Sequence, residues 1–89
     1  MTLHQAISTA RQRHVPSLTV LEAILFLHAG PVPMSVLAGK LRITASGATQ
    51  LVDTMAPWAE RTADPGDRRK KIIWLNEAGR LLAEELLAP

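Results

Sequence analysis

The sequence predicts a mainly α-helical domain with a small β-hairpin, an α+β class in which the strands come late in the chain. Three observations carry this. Apolar residues recur at three- and four-residue spacing in four successive segments up to Ala56. The period then changes: residues 58–63 and 70–75 are short runs rich in Thr, Ile and Trp around the turn Asp64-Pro65-Gly66-Asp67. From Asn76 onward the leucines return to helical spacing.

The first helix is expected from Leu3 to His14, with Leu3, Ala6, Ile7 and Ala10 on one face and Gln5, Ser8, Arg11 and Gln12 on the other. Pro16 ends it, because a residue before proline avoids the helical region. The second helix is expected to begin at Thr19, where Thr19 and Glu22 form a T-x-x-E capping box. Val20 to Leu27 are apolar on nearly every side apart from Glu22, which predicts a central, buried helix. Gly30 suits its C-terminal cap and Pro31 follows. A short third helix from Pro33 to Leu41 directs Val36, Leu37 and Leu41 inward, with proline near its first turn. The fourth has Thr44 as N-cap and runs towards Ala56, with Ala48, Leu51, Val52 and Met55 inward; Pro57 stops it. After the hairpin, Asn76 caps a last helix that continues through Leu81, Leu82, Leu86 and Leu87 to Pro89.

Eighty-nine residues support one core and not two, so residues 1–89 are read as a single domain. There is no cysteine, which excludes disulfides and thiolate metal sites. No apolar run approaches the roughly 20 residues that span a bilayer, and residues 1–14 lack the apolar centre of a signal peptide. A soluble cytoplasmic protein, with no membrane association, is the expectation. The net charge of +2 implies no partner by itself. Its distribution says more: Arg61, Arg68, Arg69, Lys70 and Lys71 place five of the ten cations within eleven residues.

The third and fourth helices are joined by only Arg42, Ile43 and Thr44. That is the spacing of a helix-turn-helix, in which the first helix braces the second so that its N-terminal face can enter a major groove. A basic hairpin directly after the second helix makes the winged version. The helix-turn-helix then occupies about 33–56, the wing hairpin about 58–75, and terminal helices 3–14 and 76–88 flank them.

From Leu18 to Leu82 the chain resembles the MarR family of winged-helix transcriptional regulators. The stretches that carry the resemblance are Leu18-Thr19, Val36-Leu37-Ala38 and Ala48-Thr49-Gln50-Leu51-Val52-Asp53. The most specific are Asp64-Pro65-Gly66-Asp67-Arg68-Arg69 and the following Leu75-Asn76-Glu77-Ala78-Gly79. The resemblance implies a DNA-binding regulator of transcription, with Asp67, Arg68 and Arg69 shaping the wing and presenting arginine to the minor groove. It places the major-groove face on Ala45, Ser46, Gly47, Thr49 and Gln50. It also implies a homodimer paired through the terminal helices. Three departures stand out: Arg42 occupies a position where the family has a small residue, often glycine; the link into the first hairpin strand is about two residues shorter; and each terminal helix is reduced to about three turns.

The chemistry of the residues leaves two readings open. In the first the partner is double-stranded DNA. Gln50 is the strong base reader of the fourth helix, Thr44, Ser46 and Thr49 reach phosphate or base edges, and Lys40, Arg42, Arg61, Lys70 and Lys71 meet phosphate. Against it, that helix has no lysine or arginine, and Asp53 is its one charge. In the second reading the scaffold is a protein-interaction module, an adaptor or antagonist of another regulator. Strand alternation turns Ile73 and Leu75 inward and Ile72 and Trp74 outward, a surface that calls for cover by the first helix, a second subunit or a protein partner. Trp58 reads as core filling at the base of the hairpin. His4, His14 and His28 are scattered and form no metal set, and no constellation suggests an enzyme, a catalytic residue or a cofactor.

Overall fold

The computed structural model describes residues 2–12 and 15–88. Its elements are α1 (Leu3–Gln12), α2 (Leu18–Leu27), β1 (Val32–Pro33), α3 (Met34–Leu41), α4 (Ala45–Thr54), β2 (Ala59–Asp64), β3 (Asp67–Leu75) and α5 (Glu77–Leu87). Four helices, α1 to α4, thus precede the β2–β3 hairpin and α5 follows it. His14 lies outside the described residues.

Local chemistry starts each helix. A capping box does occur, but at α1: the Thr2 hydroxyl accepts the Gln5 N–H (3.1 Å) and the Gln5 side chain accepts the Thr2 N–H (2.8 Å). The box expected at Thr19 and Glu22 does not form. Ser17 caps α2 by accepting the Val20 N–H at 3.2 Å, so the helix begins at Leu18, and Thr19 and Glu22 lie exposed within it. The physical reason is that Ser17 and Thr19 are equally good cap residues and only tertiary placement chooses between them. Thr44 and Asn76 cap α4 and α5 as expected, each accepting an N–H three residues on at 2.9 Å.

The core gathers around α2. Val20, Ala23, Ile24 and Leu27 are buried against Leu37 of α3, Val52 and Met55 at the end of α4, Ile73 of β3, and Leu82, Ala83 and Leu86 of α5. Burial of each large apolar side chain contributes about 1.5–3 kcal/mol. Among the described residues no polar or charged side chain is buried. Val36, expected inward, is instead 46 % exposed, and Ala38 takes its place in the interior. An eight-residue helix that packs on one side only has room for one apolar stripe, and Leu37 fixes which. Leu3, Leu81 and Leu87 are also exposed, while Leu82 and Leu86 face the core.

The sheet has a third strand that the sequence does not announce. At the end of α2 the Gly30 N–H bonds the Leu27 carbonyl at 3.0 Å, and Gly30 adopts a φ of 141° open to glycine alone. The chain then runs extended through Pro31-Val32-Pro33, and Val32 and Pro33 pair antiparallel with Ile73 and Ile72. The sheet order is β1-β3-β2, so the prolines sit on an edge, where a missing N–H is tolerated. A two-residue strand of which one residue is proline carries no strand periodicity, which is why β1 could not be foreseen.

The junction of α4, the hairpin and α5 is unusually close. The Trp58 carbonyl accepts the Asn76 N–H at 2.9 Å, and the Asn76 side-chain amide donates to the Pro57 carbonyl at 3.2 Å. A Cβ added to Gly79 would lie 2.1 Å from the Trp58 carbonyl oxygen. Gly79→Ala is therefore expected to destabilise the chain by about 3 kcal/mol, as overpacking against backbone that cannot move aside. Gly39→Ala, at a helical position with open space around it, should instead raise stability by about 0.8 kcal/mol. Urea denaturation of the two variants tests the pair of opposite signs.

Candidate nucleic-acid interface

The turn between α3 and α4 is a complete Schellman motif. The Ile43 N–H reaches back to the Ala38 carbonyl (3.0 Å) and the Arg42 N–H to Gly39 (3.3 Å), with Arg42 left-handed at φ 56°, ψ 44°. Among the described residues Arg42 is the one non-glycine with positive φ. The Thr44 cap follows at once, and a Cβ on Gly47 would lie 3.2 Å from its hydroxyl. The N-terminal half of α4 is thus held by its own backbone donors, and Thr44, Ala45, Ser46, Thr49 and Gln50 stand exposed on it, with Gly47 partly covered. The Thr49 hydroxyl donates to the Ala45 carbonyl at 3.2 Å, leaving its oxygen as an acceptor.

The wing cations are not at the tip. Pro65 and Gly66 make the turn, tightened by the Asp64 carboxylate accepting the Gly66 N–H at 2.8 Å. In the hairpin register Ala63 faces Lys71, whereas the very next residue, Asp64, faces Asp67. Arg68, Arg69 and Lys70 therefore fall in a register break. Such a break suspends strict alternation and re-aims side chains. Arg69, Lys70 and Lys71 consequently all border one groove of about 310 Å³, whose opposite wall is Met34, Ser35 and Ala38 of α3 with Ala45 and Thr49 of α4. Cations from the wing and two small residues of α4, Ala45 and Thr49, share one concave surface.

Three aspartates in this region, Asp53, Asp64 and Asp67, each have a partner. Asp67 accepts the Arg69 N–H (3.0 Å) and its guanidinium (3.2 and 3.4 Å). The Arg69 guanidinium, and then its backbone N–H, hold the Asp67 carboxyl below the ordinary aspartate range. Arg69 itself remains 92 % exposed along its side chain. Asp53 of α4 is ion-paired with Arg61 of β2.

The expected site residues therefore divide. Ala45, Thr49, Arg69, Lys70 and Lys71 come together at the groove, and Ser46, Gln50 and the Thr44 cap share the exposed N-terminal half of α4. Arg42 and Arg68 are exposed nearby without lining it. Lys40 sits 5.7 Å from the centroid of the Phe26 ring, a cation–π contact away from the groove. Arg61 is engaged by Asp53. Met34 and Ser35, which carry no signal in the sequence, line the groove; only the three-dimensional closeness of α3 to β3 reveals them.

Ile72 and Trp74 are half-buried. The groove beside Trp74 is walled by Leu27, His28, Gly30, Pro31, Leu75 and Arg80. Trp74 thus borders an open groove between the α2–β1 turn and the start of α5. Trp58 packs against the core as expected. Among the described residues no cluster of three or more metal-ligating side chains occurs, and no helix is long and apolar enough to cross a membrane.

No family model and no curated protein matches the chain in sequence. Solved structures do match it in fold. MepR of S. aureus, solved as a DNA complex, superposes with a TM-score of 0.83 at 21 % identity, covering 92 % of this chain and 69 % of that one. AbsC, a MarR family transcriptional regulator from Streptomyces coelicolor, gives 0.81 at 20 %, covering 93 % and 59 %. FabT of Streptococcus pneumoniae, in complex with DNA, gives 0.75 at 22 %, covering 89 % and 60 %. The chain thus spans between three fifths and seven tenths of the lengths of these proteins. The fold is the winged helix of MarR-type regulators: five helices and a three-stranded antiparallel sheet.

Two expectations follow from the local geometry. Left-handed backbone costs a side-chain-bearing residue about 1–2 kcal/mol, offset in part by the greater freedom of glycine in the unfolded chain, about 0.5–1 kcal/mol. Arg42→Gly should therefore raise stability by about 0.5–1 kcal/mol in urea denaturation, and Arg42→Ala should not. The depressed Asp67 carboxyl contributes to the folded wing above the ordinary aspartate range, and that contribution is lost as pH falls through its lowered folded value. A carboxyl NMR titration should find the Asp67 midpoint low, and Arg69→Ala should move it up.

Proposed function

We propose that this chain is a MarR-type, DNA-binding regulator of transcription and not an enzyme. In this reading the N-terminal half of α4 enters the major groove and the wing follows the minor groove or the phosphate backbone. The observation that carries it is the shared groove, in which Arg69, Lys70 and Lys71 confront Ala45 and Thr49 across open space. The likeness in fold to proteins solved on DNA supports it.

The division of labour is unequal. With no cation on α4, base reading falls to Gln50, whose amide can pair bidentately with adenine, assisted by Thr44, Ser46 and Thr49. Affinity comes mainly from the wing: Arg68, Arg69, Lys70 and Lys71, with Arg42 at the turn, meet phosphate or the narrow groove without regard to sequence. The small side chains at Ala45 and Gly47 let the α4 backbone approach the duplex closely.

Two copies acting on a two-fold site would pair through α1 and α5. Leu3, Leu81 and Leu87, exposed on these two helices, supply the apolar surface for such pairing. Leu81→Glu is expected to shift sedimentation to the monomer while leaving the fold intact; a wild-type chain that sediments as a monomer at micromolar concentration removes the dimer. The interaction-module reading depends on an outward Ile72 and Trp74; both are half-buried, and an open groove lies beside Trp74.

Fluorescence anisotropy with a random-sequence duplex and a host genomic DNA pool, at two salt concentrations, tests the function. Salt-sensitive binding with a retained subset supports it, and no binding at low salt and micromolar protein rejects it. In Arg68→Ala/Arg69→Ala the log–log salt slope should flatten by about 0.9 for each phosphate that is no longer neutralised. The melting temperature should barely move, because both side chains are exposed.

A further inference from the structure

We infer that Arg61 is not a phosphate ligand but the residue that makes α4 electrostatically acceptable to DNA, by neutralising Asp53. The inference rests on the DNA-binding reading of α4 given above. Ser46, Thr49, Gln50 and Asp53 recur at three- and four-residue spacing and are all exposed, so Asp53 continues the stripe that would face the duplex. A bare carboxylate there opposes the phosphates of either strand, and α4 has no lysine or arginine to offset it.

The fold supplies the missing cation from the wing. α4 ends at Thr54, and the Trp58 and Ala59 N–H groups both bond the Met55 carbonyl at 2.8 Å, so β2 turns back directly beside the helix that precedes it. Arg61, opposite Ile73 in the hairpin register, shares the sheet face that meets the core, and its guanidinium reaches the Asp53 carboxylate. The two side chains remain 42 % and 53 % exposed, so a pair in this setting does little for stability. Its value lies in the field it presents. Glu60 borders the same depression, so without Arg61 two carboxylates would stand at this end of α4.

The same arrangement recurs in the wing, where Asp67 is satisfied by Arg69 and Asp64 by a backbone N–H. Asp53, Asp64 and Asp67 are thus each answered from within the chain. Arg61 is a positioning residue, acting on DNA through Asp53. Asp53→Asn should relieve the need for it.

The test is a double-mutant cycle in the full chain, read by anisotropy with a random-sequence duplex at several salt concentrations. Arg61→Ala should weaken binding about fivefold at low salt, the size of one exposed charge interaction. Asp53→Asn should tighten binding and steepen the salt slope, because Arg61 is released. Asp53→Asn/Arg61→Ala should return to within about twofold of wild type with an unchanged slope, since the same phosphates are neutralised in both. Arg61→Lys should retain wild-type affinity, and thermal melts should hold in every variant. A double mutant as weak as Arg61→Ala, with its slope lower by about 0.9, would make Arg61 a phosphate ligand and overturn the inference. Absence of wild-type binding would overturn the DNA reading and this inference with it. A wild type that binds beside a failed rescue overturns this inference alone.

Discussion

Much of this structure depends on one backbone meeting. The Pro57–Trp58 segment receives the Asn76 N–H and side-chain amide, and its carbonyl lies where any side chain at Gly79 would have to be. At that point the exit of α4, the root of β2, the end of β3 and the first turn of α5 are joined. The four-residue link from Met55 to Trp58 leaves no slack, so the angle between α4 and the hairpin is set by hydrogen bonds and hard contact. The proposed reading of DNA by α4 and the hairpin together would need that rigidity, since misplacing either element weakens what both would make together.

Charge is arranged around this scaffold with similar economy. Ten cations and eight acids nearly cancel over the chain, so the average field is weak. The groove is positive because Arg69, Lys70 and Lys71 line it and no acid does, and the aspartates elsewhere on α4 and the hairpin are paired. Asp53, Asp64 and Asp67 are occupied by Arg61, the Gly66 N–H and Arg69, while Lys70 and Lys71 extend into the opening. The register break contributes as much as the composition does, because regular alternation would have sent Lys70 to the opposite face of the sheet from Lys71.

The fold was largely legible in the sequence for physical reasons that can be named. Period 3.6 in α4, the apolar run of α2, the caps Thr44 and Asn76, and the Asp-Pro-Gly-Asp turn are strong local signals. The departures were decided by tertiary choice. Ser17 outcompeted Thr19 as a cap, Val36 lost its inward place to Ala38, and β1 exists only because β3 offers a partner. The site was legible as a set of residue types and less so as an arrangement. Arg69, Lys70, Lys71 and Thr49 could be named, but that three consecutive wing residues border one groove, or that Arg61 belongs to Asp53 and Lys40 to Phe26, follows from register and packing that no spacing encodes.

Backbone strain and charge meet at Arg42. A left-handed position closing a Schellman motif is one that glycine fills without strain, and here an arginine holds it. Backbone strain of this kind persists only where the surroundings over-determine it. Two bonds, to Ala38 and Gly39, and the Thr44 cap immediately beyond do so here. The turn therefore carries a positive charge between the two helices of the motif, beside the N-terminus of α4, where the helix dipole is also positive. Two sources of positive potential meet at the end of α4 that carries Ser46, Thr49 and Gln50, and the paired Asp53 lies at the other. The helix has no cation of its own, and its field is supplied by what its neighbours place around it.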